Sequence, residues 1–162
     1  MGAERTSRSA DAFFSGYADI DDILACDGLG FELLLVHFLT ERAVTKNYFE
    51  RIGIDDPAKG GFTDAEFQGS HSKGNQAEVK LLQDFFGDPT IKLISDSNAA
   101  AFRVFKNSRG DVIREIEHQG KGAEKGVQSD TVEVTTKDGK KHTPDEYKEI
   151  LDAAKAPAAV AP

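Results

Sequence analysis

The sequence predicts an α+β fold: an N-terminal helical half built on one long central helix, then antiparallel β-hairpins, then a C-terminal helix. Three observations predict it. Residues 30–42 are the most apolar stretch of the chain, and at about 100° per residue Phe31, Leu34, Leu35, Phe38 and Phe49 share one face, with His37, Glu41, Val44 and Tyr48 as a stripe beside it. After Pro89 the period changes to short β-branched and aromatic runs separated by turn residues. Thr143-Pro144-Asp145-Glu146 then opens a last helix, with a cap, a proline at the first position and acids in the first turn.

Residues 1–12 are small, polar and charged, and are expected to lie loose outside a single domain of residues 13–155. Phe13, Phe14 and Tyr17 lead to a short helical turn that Asp19 or Asp21 would cap, setting Ile23 and Leu24 inward. Asp27 is a cap candidate for the long helix, predicted over residues 29–51, with Gly53 as its stop and Pro57 beyond. Residues 55–61 read as a loop. Thr63 and Glu66 have capping-box spacing, but Gly69 and Gly74 weaken an uninterrupted helix. A short turn is therefore expected, followed by a second helix from Ser70 or Ser72 to Phe86, closed by Gly87. On it His71, Glu78, Leu82 and Phe85 fall close to one face.

Strands are predicted over residues 90–94, 101–105 and 112–117, the last two flanking a loop at 107–111. Residues 120–128 are rich in Gly, Lys and Glu and read as flexible. Residues 131–135 and 140–142 flank Asp138-Gly139, a stronger hairpin signal. The closing helix carries Tyr147, Ile150 and Leu151 to about Lys155, and residues 156–162 form an Ala/Pro tail expected to be disordered.

The 162 residues suit one domain with a real core, filled mainly by Phe and Leu given eleven Phe and no Trp. A formal charge of −8 argues against a nucleic-acid partner, which needs a concentrated positive face. One cysteine, Cys26, permits no internal disulfide and reads as a small core residue. The polar N-terminus carries no signal-peptide pattern, and the apolar run from Leu29 to Leu39 is about half of a membrane span. No membrane partner is expected, and the expected address is the cytoplasm of the producing cell, with any export independent of a signal peptide.

Four side chains of the helical half suit a metal: His37 and Glu41, four residues apart and so on adjacent turns of one face, and His71 and Glu78 from the second helix. Packed antiparallel, the helices would bring both pairs to one ion, and imidazole with carboxylate suits zinc or a similar divalent ion. The same residues admit a plainer account. His37 and Glu41 would be a hydrogen-bonded helix pair, His71 would line a loop, and Glu78 would pair with Lys80 or Arg42.

Residues 34–42, Leu-Leu-Val-His-Phe-Leu-Thr-Glu-Arg, resemble the active helix of zincin metallopeptidases, whose His-Glu-x-x-His core follows an apolar run and whose third ligand comes from a downstream helix. The layout from Ile20 to Phe105 is also similar to small zincin-like domains linked to bacterial contractile injection systems. The resemblance implies a zincin-like fold with ligands at His37, Glu41 and the second helix. It departs at two positions: the general base falls at Phe38, which cannot take a proton from a metal-bound water, and the second histidine falls at Glu41. No catalytic residue is therefore assigned. The resulting expectation is a non-catalytic protein-binding module, a component or cargo of a bacterial secretion or injection assembly, holding zinc or no cofactor. The alternative is a metal-dependent, peptidase-like hydrolase using the His/Glu site.

Overall fold

The computed structural model describes residues 13–17, 20–97, 102–119 and 128–155. The expectations for residues 1–12, for the 120–127 segment, for an Asp19 cap and for the tail 156–162 lie outside the described residues. The elements run α1 (Ile20–Ala25), α2 (Gly28–Val44), α3 (Tyr48–Arg51), a single 3₁₀ turn (Pro57–Lys59), α4 (Asp64–Phe86), β1 (Lys92–Ser97), β2 (Phe102–Lys106), β3 (Val112–Gln119), β4 (Gln128–Thr135), β5 (Lys141–His142) and α5 (Pro144–Lys155). The five strands form one antiparallel meander in sequence order. The fold is α+β, with the long central helix and the C-terminal helix in place.

The start of α2 is tied directly to the sheet. Asp27 caps the helix by accepting from the Gly30 amide at 2.7 Å, and its other oxygen accepts from the Val132 amide of β4 at 2.9 Å. Glycine is required at position 30, because a Cβ there would lie 2.3 Å from the Asp130 carbonyl oxygen. From this anchor Leu29 and Leu33 of α2, Leu82 and Phe86 of α4, and Tyr147 and Leu151 of α5 pack with Ile91, Phe105, Ile113, Val132 and Val134 into the main core. Tyr147 is seated by polar contacts as well. Its hydroxyl donates to Asp111 at 2.6 Å and accepts from Asn107 at 3.0 Å, which locks α5 onto the 107–111 loop.

The long helix is shorter than its periodicity predicts. It stops at Val44, and a separate turn follows, because Thr45 folds its hydroxyl back onto the Glu41 carbonyl at 2.7 Å and Asn47 adopts a left-handed conformation at φ 54°. The reversal swings Tyr48 into an aromatic cluster with Phe13, Phe62 and Phe67, and it leaves Phe49 78% exposed rather than on the buried face of α2. Leu24, expected inward, is likewise exposed, while Ile23 packs with Cys26 on Leu34 and Phe38.

The second long helix is longer than expected. The Thr63–Glu66 capping box starts α4 itself, and the helix runs unbroken through both glycines. Gly69 meets nothing and is tolerated, but Gly74 has a reason: a Cβ there would lie 2.8 Å from the His37 ring.

Candidate metal centre

Helices α2 and α4 pack antiparallel, and their facing stripes are polar in the middle and apolar at both ends. Leu33 and Leu82 lie in the main core, whereas Tyr48 and Phe67 belong to the aromatic cluster at the other end. Between them His37 and Glu41 of α2, with Thr45 just past its end, face Ser70, His71, Gly74 and Glu78 of α4, all of them buried. Thr45 and Ser70 hydroxyls meet at 2.6 Å.

Three atoms converge at the centre of this stripe. His37 Nε2 is 2.9 Å from Glu41 Oε1, His71 Nδ1 is 2.9 Å from the same oxygen, and the two ring nitrogens are 3.0 Å apart. His37 and Glu41 are 1% and 0% exposed, and His71 is 5% exposed. The outer nitrogen of each ring meets a further carboxylate: His37 Nδ1 lies 2.7 Å from Glu78 Oε1, and His71 Nε2 lies 2.9 Å from Asp96 Oδ2. Asn75 also donates to that Asp96 oxygen at 2.7 Å.

These partners fix what the centre can do. A carboxylate behind each ring draws the imidazole proton outward, so a neutral ring presents its lone pair inward. Two lone pairs and a carboxylate oxygen then sit within 3.0 Å of one another. One added proton on His37 leaves His71 Nδ1 and Glu41 Oε1 facing as two acceptors. Two added protons set N–H against N–H across the 3.0 Å gap. With Glu41 ionised, no placement of the imidazole protons turns all three contacts into hydrogen bonds, whereas one cation accepts all three lone pairs. The buried His37–Glu41–His71 group can therefore hold a metal ion.

The electrostatics agree. Burial alone would pull the His37 imidazolium down, but the Glu78 charge and the contacts with Glu41 and Glu78 hold it up at about 9. Burial pushes the Glu41 carboxyl up, yet the hydrogen bonds with His37 and His71 outweigh it and hold Glu41 at about 2. His71 is raised against its burial by Asp96 and Glu41, and Asp96 is held well below the usual carboxylate range by His71 and Arg103 despite its desolvation. The site thus keeps Glu41 and Asp96 charged and attracts a positive charge.

The sequence expectations meet this geometry unevenly. His37, Glu41 and His71 come together at one point. Glu78 reaches the site but stands on the far nitrogen of His37, outside the converging triangle, and pairs with Arg103 at 3.2 Å rather than with Lys80 or Arg42. Phe38 is turned away into the small cluster with Leu34, Ile23 and Cys26. His118 and His142 lie on β3 and β5, His118 hydrogen-bonded to Thr131 at 2.7 Å. Sequence reading missed the sheet's contribution: Asp96 of β1, Arg103 of β2 and Glu115 of β3 form a charged layer behind the two imidazoles. Burial and the Glu78 charge push the Glu115 carboxyl up to about 8, although Arg103 donates to it at 3.0 Å.

Gly74 gives this geometry a direct check. Gly74→Ala is expected to lower stability by about 1–3 kcal/mol, because the wedged His37 ring cannot retreat without leaving Glu41 and Glu78. Gly69→Ala on the same helix, where nothing lies near, is expected to gain up to about 1 kcal/mol. Thermal melts that move both variants the same way would contradict this packing.

The fold and the site define a class: an α+β domain with a buried His–Glu–His group able to hold a metal ion between two helices. No protein-family model, curated protein or solved structure matches the chain.

Proposed function

We propose that this domain holds a zinc ion at His37, Glu41 and His71, that the ion clips α2 to α4, and that the domain acts by binding another protein rather than by cleaving one. One observation carries the proposal: three lone-pair donors 2.9–3.0 Å apart whose contacts, with Glu41 ionised, no arrangement of imidazole protons satisfies. Two imidazoles and a carboxylate suit zinc or a similar borderline divalent ion. Charge favours a divalent ion too. With both imidazoles neutral, Glu41, Glu78 and Asp96 against Arg103 leave two negative charges, which one such ion cancels. The donor separations fall within a few tenths of an ångström of those around an ion with bonds of about 2.0–2.1 Å.

The residue after His37 is a phenylalanine packed into the α1 cluster, so nothing there can activate a water. An apolar helix carrying the first ligands and a downstream helix carrying the next support a zincin-like ancestry. Large side chains left on the surface, among them Tyr17, Leu24 and Phe49, favour a protein partner, and the setting in a bacterial secretion or injection assembly rests on the resemblance of the 20–105 layout alone. A hydrolase is the second reading, favoured by the ligand count, since zinc held by three protein ligands keeps a fourth position for water.

Metal analysis of protein purified without chelator tests the proposal. About one zinc per chain is expected, with no cleavage of unstructured peptides by the loaded protein. Failure to take up zinc even after incubation with the ion would overturn the metal centre, and zinc-dependent cleavage would decide for the hydrolase.

A further inference from the structure

Behind the converging triangle a single guanidinium touches the partners of both histidines. Arg103 Nη1 lies 3.2 Å from Glu78 Oε1, the oxygen that meets His37, and Arg103 Nε lies 3.4 Å from the Asp96 carboxylate, whose other oxygen meets His71. Its remaining partner is Glu115, at 3.0 Å. The three come from different elements: Glu78 from α4, Asp96 from β1 and Glu115 from β3. Arg103 itself is largely buried.

We propose that Arg103 is the positioning residue of the metal centre: by holding Glu78 and Asp96 together it fixes the orientation of both imidazoles and thereby sets the affinity for the ion. The inference rests on the zinc reading above. The argument is geometric. A carboxylate that orients a ligating imidazole is effective only if it is itself held, and outer partners of this kind change metal affinity by about 10–100-fold. Most such partners serve one ligand, whereas Arg103 serves two through one rigid plane. A lysine cannot replace it, since an ammonium is a point charge on a flexible stem and has no fork to span two acids. Glu115 completes the guanidinium's contacts with a hydrogen bond at 3.0 Å that steadies its plane.

The test uses the full chain, with zinc affinity measured by competition against a chromophoric chelator and with the visible spectrum of the cobalt-loaded protein. Arg103→Lys is expected to weaken zinc binding about 10–100-fold and to shift the cobalt bands, which report the ligand field at the imidazoles. Glu78→Gln and Asp96→Asn, each freeing one ring, are expected to do less. His118→Ala, whose ring bonds Thr131 away from the site, is expected to leave affinity within about threefold and the spectrum unchanged. Arg103→Lys that binds zinc as tightly as the parent, or His118→Ala that reproduces its effect, would overturn the inference. If Arg103→Lys does not fold, unchanged cobalt bands in both Glu78→Gln and Asp96→Asn would overturn it equally. Parent protein that binds no zinc would instead remove the underlying reading, so the two failures are distinct.

Discussion

His37→Ala will leave the protein unable to retain zinc. The loss is expected to exceed the ~10–100-fold of an outer partner, because a donor and not its support has been removed. The metal-free protein will suffer as well. His37 stands between Glu41 and Glu78, both fully buried, and its removal strands two carboxylates beside a cavity. Breaking a buried charged pair by deleting one partner costs about 3–5 kcal/mol, so a strongly lowered melting temperature is expected even in chelator. His71→Ala should follow with the same loss of zinc, whereas His118→Ala, on the far side of the sheet, should change neither quantity. A His37→Ala protein that still carries one equivalent of zinc would rule out the triangle as the site.

The second large effect is a pH dependence that is steep in the metal-free protein and weaker in the zinc-loaded one. In the metal-free protein His37 is raised from 6.5 to about 9, so its contribution to stability is complete below pH 6.5 and is lost as pH rises through about 9. Glu115, raised from 4.5 to about 8, acts in the same direction: its contribution is complete below pH 4.5 and is lost as pH rises to about 8. Melting temperature in chelator should therefore fall across pH 6.5–9, by about 5–10 °C. Zinc competes with the proton for His37, so its binding tightens over the same interval and the gap between loaded and metal-free melts should widen. Glu41 sets the acid limit. Held at about 2 against an ordinary 4.5, it contributes stability above pH 4.5 that is lost as pH falls toward 2. A gap between the two melts that stays constant from pH 6.5 to 9 would contradict the assignment of His37 as a ligand.

The features legible in the sequence were those set by local chemistry. The hairpin loops at 107–111 and around Asp138-Gly139, the Thr143 start of α5, and the Asp27 cap of α2 depend on a few neighbouring residues and appear where their turn and cap signals lie. The illegible ones depend on partners far away in the chain. Asn47 is of the type that most often replaces glycine in a left-handed position, but an asparagine alone does not stop a helix, and the apolar period runs on past Val44. Gly74 resembles a helix breaker until the His37 ring that occupies its missing side chain is seen. The charged layer of the sheet was half legible. Arg103 is two residues from Phe105 and Glu115 two from Ile113, so strand alternation places both charges on the core face. Asp96 could not be placed this way. A bulge between Leu93 and Ser95 resets the alternation of β1, pairing Leu93 with Phe105 and Asp96 with Arg103, and thus an acid three residues from an inward leucine also points inward.

The seclusion of His37 and Glu41 carries a kinetic consequence. No ion can reach or leave a spot sealed between two helices unless the helices part, so the tempo of exchange is set by the breathing of the protein and not by how fast ligands swap on the ion. A metal acquired while the chain folds would then stay for as long as the domain remains shut, making occupancy a record of how the molecule was made more than of the medium around it.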